Sequence, residues 1–184
     1  MGDFVFPPLV WPPRIVLDGQ TLRFVPVSNH SMLMWISAGA WMNFIPQSLA
    51  PEDRQHIYRR LHDTFDNLEV QHLHNITKDL IAGLCGTTPG ASQRIAEHTL
   101  QSWFSFDGWC IINNFDPHTA PFHRLISAGY QFWTATLDST DKNAIWMLNH
   151  KIWPEDEKEN PAAEEHAIMA AVLGGMKPNE GILR

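Results

Sequence analysis

Residues 103–133 read WFSFDGWCIINNFDPHTAPFHRLISAGYQFW, and this stretch holds three of the chain's eight tryptophans and five of its ten phenylalanines. Rings at this density are core material, because each removes a large apolar area from water and fixes geometry through a rigid body. The spacing argues for helices. Pro121 opens one, with Phe122, Leu125, Ile126, Gly129, Phe132 and Trp133 at intervals that share an inner face. Upstream, Ile95, Leu100, Trp103 and Phe104 form one stripe over residues 91–104. Asp107-Gly108 and Asp116-Pro117 between them read as turns. On this reading the whole aromatic stretch is interior scaffold.

The same pattern extends outward. Ser28 or Asn29 can cap a helix running to about Gly39, followed by a short helical turn through Phe44. Pro51-Glu52-Asp53 is a helix start, with proline at the first position and acids that favour the helix dipole. Ile57, Leu61 and Phe65 fall on its inner face. Over residues 67–84, Leu73, Ile76, Leu80 and Leu84 keep helical spacing and Gly86 closes the helix. Asp138 and Asp141 form a capping pair ahead of Ile145, Leu148 and Ile152, and Pro154 stops that last helix. Before all of these, Ile15-Val16-Leu17 and Leu22 to Val25 flank Asp18-Gly19, the signature of a β-hairpin with a tight turn. A lone hairpin is marginal and has to dock on something. The fold class expected is mainly α: a compact multi-helix domain over residues 14–153 with a small N-terminal hairpin.

Both ends differ in character. Residues 1–13, MGDFVFPPLVWPP, form a proline-rich apolar arm that either packs on its own domain or reaches onto a neighbour. Residues 154–184 begin with PEDEKENP, a charged linker, and continue into a short amphipathic helix from Ala162 to Leu173 and a polar tail. Apolar groups on tethered ends need a surface to cover them. Trp11, Ile168, Met169, Val172 and Leu173 are therefore the candidate partner-binding residues.

Composition excludes several functions. With 13 Lys and Arg against 20 Asp and Glu the net charge is -7, and Arg59-Arg60 makes no basic patch fit for nucleic acid. The apolar run Met32 to Ile45 is too short to span a bilayer. Cys85 and Cys110 sit in apolar settings, as two free buried thiols of a reducing compartment would. Ten histidines invite a metal, yet His72 and His74 are two apart and diverge on a helix, while His118 and His123 straddle Pro121. A Cys110 thiolate with His118 or His123 as base, or a carboxylate pair of Asp107 and Asp116, has to compete with the plainer reading of core and turn. No residue is assigned a catalytic, cofactor or metal role, and the chain is expected to be no enzyme.

The order of elements resembles one family. MLMWISAGAW at residues 32–41, Leu49-Ala50-Pro51-Glu52-Asp53-Arg54, the step from Arg60 to Asp63, and Leu84-Cys85-Gly86 form one half of the likeness. Trp103, Phe106-Asp107-Gly108-Trp109, Asp116-Pro117, Pro121-Phe122-His123-Arg124-Leu125 and Tyr130 form the other. Together, over about residues 32–152, they resemble the tail assembly chaperones encoded among the tail genes of long-tailed actinobacterial bacteriophages. The resemblance implies a helical protein of the host cytoplasm. It would bind the tape measure protein, or other phage tail proteins, and keep it soluble during tail morphogenesis, with a homo-oligomer possible. A structural virion protein, such as a head–tail connector or minor tail protein locked into a ring through its arm and tail helix, is the competing expectation.

Overall fold

The computed structural model describes residues 11–39, 41–63, 65–138 and 140–154. The linker, the amphipathic helix and the tail, with Ile168, Met169, Val172 and Leu173, lie outside the described residues, as does the arm before Trp11. The chain divides into two units, Met1–Trp153 and Pro154–Arg184.

Among the described residues a two-stranded sheet precedes eight α-helices. Strands β1 (Ile15–Leu17) and β2 (Gln20–Leu22) pair antiparallel, with Ile15 opposite Leu22 and Leu17 opposite Gln20. The loop between them needs positive φ at both positions, and Asp18 (48°) and Gly19 (81°) supply it, an arrangement whose twist matches the strands. The second strand is shorter than the expected apolar run. Phe24 instead bridges Leu49, while Val25 N–H donates to Ser48 O (2.9 Å) and Ala50 N–H to Arg23 O (2.8 Å). The hairpin thus docks where one helix ends and the next begins.

The helices are α1 (Asn29–Ser37), α2 (Trp41–Ser48), α3 (Pro51–His62), α4 (Val70–Cys85), α5 (Pro89–Gln101), α6 (Trp103–Ile112), α7 (Phe122–Ala135) and α8 (Lys142–Ile152). Ser28 caps α1 through its side chain, which leaves Asn29 to donate to Pro117 O and Ala120 O (2.9 Å each) and tie α1 to the Asp-Pro corner. Helix α2 runs through Pro46 to Ser48, beyond the short turn expected. Buried Phe44, Ile45 and Leu49 hold it, and Ser48 Oγ satisfies Phe44 O and Ile45 O. Thr88 and Asp141 cap α5 and α8, and Gly86 closes α4 at φ 70°.

Helix α5 is the hub, packing against α1, α4, α6, α7 and α8. Its inner surface is Ala91, Ser92, Ile95, Ala96 and Thr99, all buried and mostly small, so neighbours approach closely. Among these, α7 brings Gly129 against Thr99 and Ile95. All six residues expected to face inward from α7 are buried.

Three expectations fail, each for a geometric reason. Phe65 lies past the end of α3 and is 95% exposed. The stripe over 91–104 is broken at Ser102, where the chain turns from α5 into α6, and this swings Phe104 out to 95% exposure. Asp107-Gly108 is not a turn but the middle of α6, held helical by buried Phe106 and Cys110 on either side. Asp116-Pro117 is a turn: the Asp116 carboxylate accepts from His118 N–H (2.9 Å) and Thr119 Oγ1 (2.6 Å).

Ion pairs fix the hairpin to α3 at two points. At its exit, buried Asp53 accepts from Arg23 N–H (2.8 Å) and Nε (3.0 Å), with Glu52 taking Nη2. At its turn, Asp18 meets Arg60 (2.6 Å), which also grips Asp66 in a two-point fork (2.7 and 2.8 Å). Charge-assisted hydrogen bonds from Arg60 hold Asp66 down at about 2, from an ordinary 3.8, and those from Arg23 lower Asp53 in the same direction. Because the folded Asp66 value lies below the ordinary one, its stabilisation is complete above 3.8 and disappears as pH falls through about 2. Acid titration of stability should therefore show a loss across that window that shrinks in Asp66→Asn. Gly129→Ala, whose Cβ would run into Thr99 Oγ1, should cost about 1–3 kcal/mol in denaturant unfolding through overpacking of α5 on α7.

Candidate interaction surface

Helix α6 is apolar apart from Ser105 and Asp107. Its inner face presents Phe106 and Cys110, both at 0% exposure. Phe106 meets Phe132 edge-on (5.5 Å between centroids), lies parallel to Trp109 (6.3 Å) and touches Trp103 (5.7 Å). The outer face carries Phe104, Gly108, Ile111 and Ile112, at spacings of four, three and one that place them on one stripe opposite Phe106. Phe104 is 95%, Ile111 70% and Ile112 81% exposed. A helix that is hydrophobic all round belongs in an interior, whether of its own chain or of an assembly. The three side chains offer roughly 450 Å² of apolar surface, the size of the largest patch on a typical monomer (about 300–600 Å²), which is often functional. The aromatic stretch is therefore not all interior scaffold, since one side of α6 faces out.

Trp11 stands half-buried against its own core. Its ring meets Phe24 (5.5 Å) and Phe44 (6.1 Å) edge-on, and its Nε1 donates to Val25 O (3.3 Å). This part of the arm takes the intramolecular course, and the indole face is committed there. Trp153, at the end of α8, lies edge-on to Tyr130 (5.3 Å) and donates to Thr87 Oγ1 (3.2 Å).

Of the candidate chemical residues, Asp107 lies near enough to Cys110 to act on its thiol, and Asp116 sits beside His118. Burial pushes the Cys110 thiol up to about 11, with Asp107 adding to the effect, and burial pushes Cys85 up to about 12. Both are free, buried and protonated at neutral pH, so neither is a nucleophile in this state. Asp107 lies on α6, while Asp116 is occupied in its turn. His118 is exposed beside the edge of Trp103 (6.2 Å). His72 is exposed and accepts from Glu69 N–H through Nδ1 (3.3 Å), whereas His74 is buried, as their two-residue separation requires. Among the described residues no three His, Cys, Asp or Glu are placed to hold a metal ion, and no helix is long and apolar enough to cross a membrane.

His98 stacks on Trp133 (3.9 Å, 13° between planes), and Lys151 Nζ lies 5.3 Å from the Trp133 centroid. Burial, reinforced by the Lys151 charge, lowers the His98 pKa, so the imidazole is neutral at pH 7 and serves as an aromatic plate. Between the hairpin and α4 a groove of about 380 Å³ is lined by Asp18, Arg60, His72, Asn75 and Asp79, among others. Its one cation, Arg60, is already taken by Asp18 and Asp66.

Periodicity alone did not reveal the α6 surface. The available signal was that residues 103–112 carry one charge and no polar face, so that no side of the helix is marked for water. Comparison with protein-family models, characterised proteins and solved structures finds no match.

The two faces of α6 should separate in unfolding experiments. Phe106→Ala should cost about 3–5 kcal/mol, the toll of emptying a packed aromatic site. Phe104→Ser, just over half a turn from it and in water, should stay within about 0.5 kcal/mol of the parent.

Proposed function

We propose that this chain is a non-enzymatic helix-capture protein, a bacteriophage tail assembly chaperone that binds the tape measure protein and keeps it soluble while the tail is built. The observation that carries this reading is the exposed apolar face of α6, at Phe104, Ile111 and Ile112, on a chain of net charge -7. The resemblance over residues 32–152 supplies the identity of the client.

The physical logic is simple. An apolar helix laid along α6 gains contact at two anchors about two turns apart, Phe104 and the Ile111–Ile112 pair, the i and i+7 spacing of helix recognition. The acidic remainder of the chain keeps the complex soluble through mutual repulsion. Roughly 450 Å² at about 25 cal/mol per Å² gives about 11 kcal/mol gross. Association itself consumes about 4–15 kcal/mol, so one contact is weak and reversible. Weak contacts repeated along a long client coat it without trapping it, and tube subunits can displace them without an energy source.

Co-expression with the tape measure protein of the same phage tests the reading. The soluble fraction of tape measure protein should rise with the parent chain and fall back with Phe104→Asp/Ile112→Asp, while purified particles lack the chain. Equal tape measure solubility with and without the chain would refute it. Recovery of the chain in mature particles would favour the structural virion role instead.

A further inference from the structure

We propose that the exposed face of α6 pairs with the same face of a second copy, with the two Gly108 backbones at the crossing point. This goes beyond partner capture and does not depend on it. It states what covers the face when no client is present.

Glycine carries the argument. Glycine in a helix interior weakens the helix, so its presence calls for a local reason. Gly19, Gly39 and Gly86 have one in their positive φ, and Gly129 has one in the Thr99 and Ile95 side chains pressed against it. Gly108 has neither. It is helical, and a Cβ built on it would meet nothing within 4 Å. Its own fold leaves room for a Cβ, yet the position has none. It lies at the centre of the outward stripe, with Phe104 one turn before and Ile111 and Ile112 one turn after. A ridge, a gap and a ridge form a surface that complements itself. A two-fold axis through Gly108 sets Phe104 of each copy onto Ile111 and Ile112 of the other, and the bare backbones allow the helices to close.

Charge and area decide the occupant and its strength. Between Ser102 and Phe115 the single charged residue is Asp107, so this face carries little of the chain's net charge of -7. Each copy would bury roughly 450 Å², about 900 Å² in total, against the about 1,200–2,000 Å² of a standard stable interface. The dimer is therefore a reversible one that populates at high concentration and opens on dilution. Its interface is the surface offered to a client, so assembly and capture exclude one another.

Sedimentation of the full chain from about 1 μM to about 1 mM tests the proposal. The weight-average mass should climb from 21.0 kDa toward twice that value. Phe104→Asp, at a residue 95% exposed in the monomer, should stay monomeric throughout with an unchanged circular dichroism spectrum. Gly108→Ala should do two opposite things. Its thermal midpoint, read in dilute monomer, should rise by about 2–4 °C through helix propensity, and its dissociation constant should rise at least about tenfold as the new methyl holds the helices apart. A parent chain that is monomeric across the range would overturn the proposal. So would a dimer that both variants leave intact, since its interface would lie elsewhere.

Discussion

How closely other helices can approach α5 sets everything else in this molecule. Ala91, Ser92, Ala96 and Thr99 keep its surface low, and Gly129 lets the α7 backbone settle onto Thr99 and Ile95 without an intervening side chain. Packed interiors transmit displacements of a few tenths of an ångström, because there is no free volume to absorb them. The position of α7 in turn places Phe132 and Trp133. Phe132 is the plate against which α6 lays Phe106 and Trp109, and Trp133 receives His98 from α5 and Lys151 from α8.

Helix α6 stands at the edge of this scheme. Its main element contacts are with α5 and α7, His30 of α1 lies edge-on to Trp103, and its buried side chains are Phe106 and Cys110. A ten-residue helix has too little hydrogen bonding to persist alone in water, so tertiary burial of that one side holds it. The apolar outer side is then carried along, exposed because the inner side is so well packed. That tension makes the surface a sound basis for function: the protein holds it out at a cost in solubility that the acidic remainder offsets.

The hairpin and α3 are bound by different forces. Asp53 is buried and would be costly without its partner, but Arg23 reaches it through backbone and side chain together. Arg60 is shared between Asp18 and Asp66, so the hairpin turn and the loop after α3 answer to one guanidinium. Geometry of the forked, two-point kind gives such pairs more orientation than energy. They set where the hairpin sits, and the Trp11 ring, edge-on to both Phe24 and Phe44, supplies apolar burial.

Local chemistry was enough to reveal the helical class, the Asp18-Gly19 turn, the caps at Ser28 and Asp141, the stop at Gly86 and the inner face of α7. Each depends on interactions within a few residues: a positive φ, an orphan N–H, a 3.6-residue period. Four matters were decided only by tertiary structure. The break at Ser102 cannot be read from a stripe that continues past it in register. Asp107-Gly108 has turn propensity, which the burial of Phe106 and Cys110 overrode. Trp11 was free by sequence to pack either way, and the Phe24–Phe44 pair settled it. Last, periodicity reports that a residue is apolar but not whether a neighbour will cover it, so Phe104, Ile111 and Ile112 looked the same as core until the other helices were in place. Apolarity is written into a chain residue by residue, whereas burial belongs to pairs of surfaces that only the folded arrangement brings together.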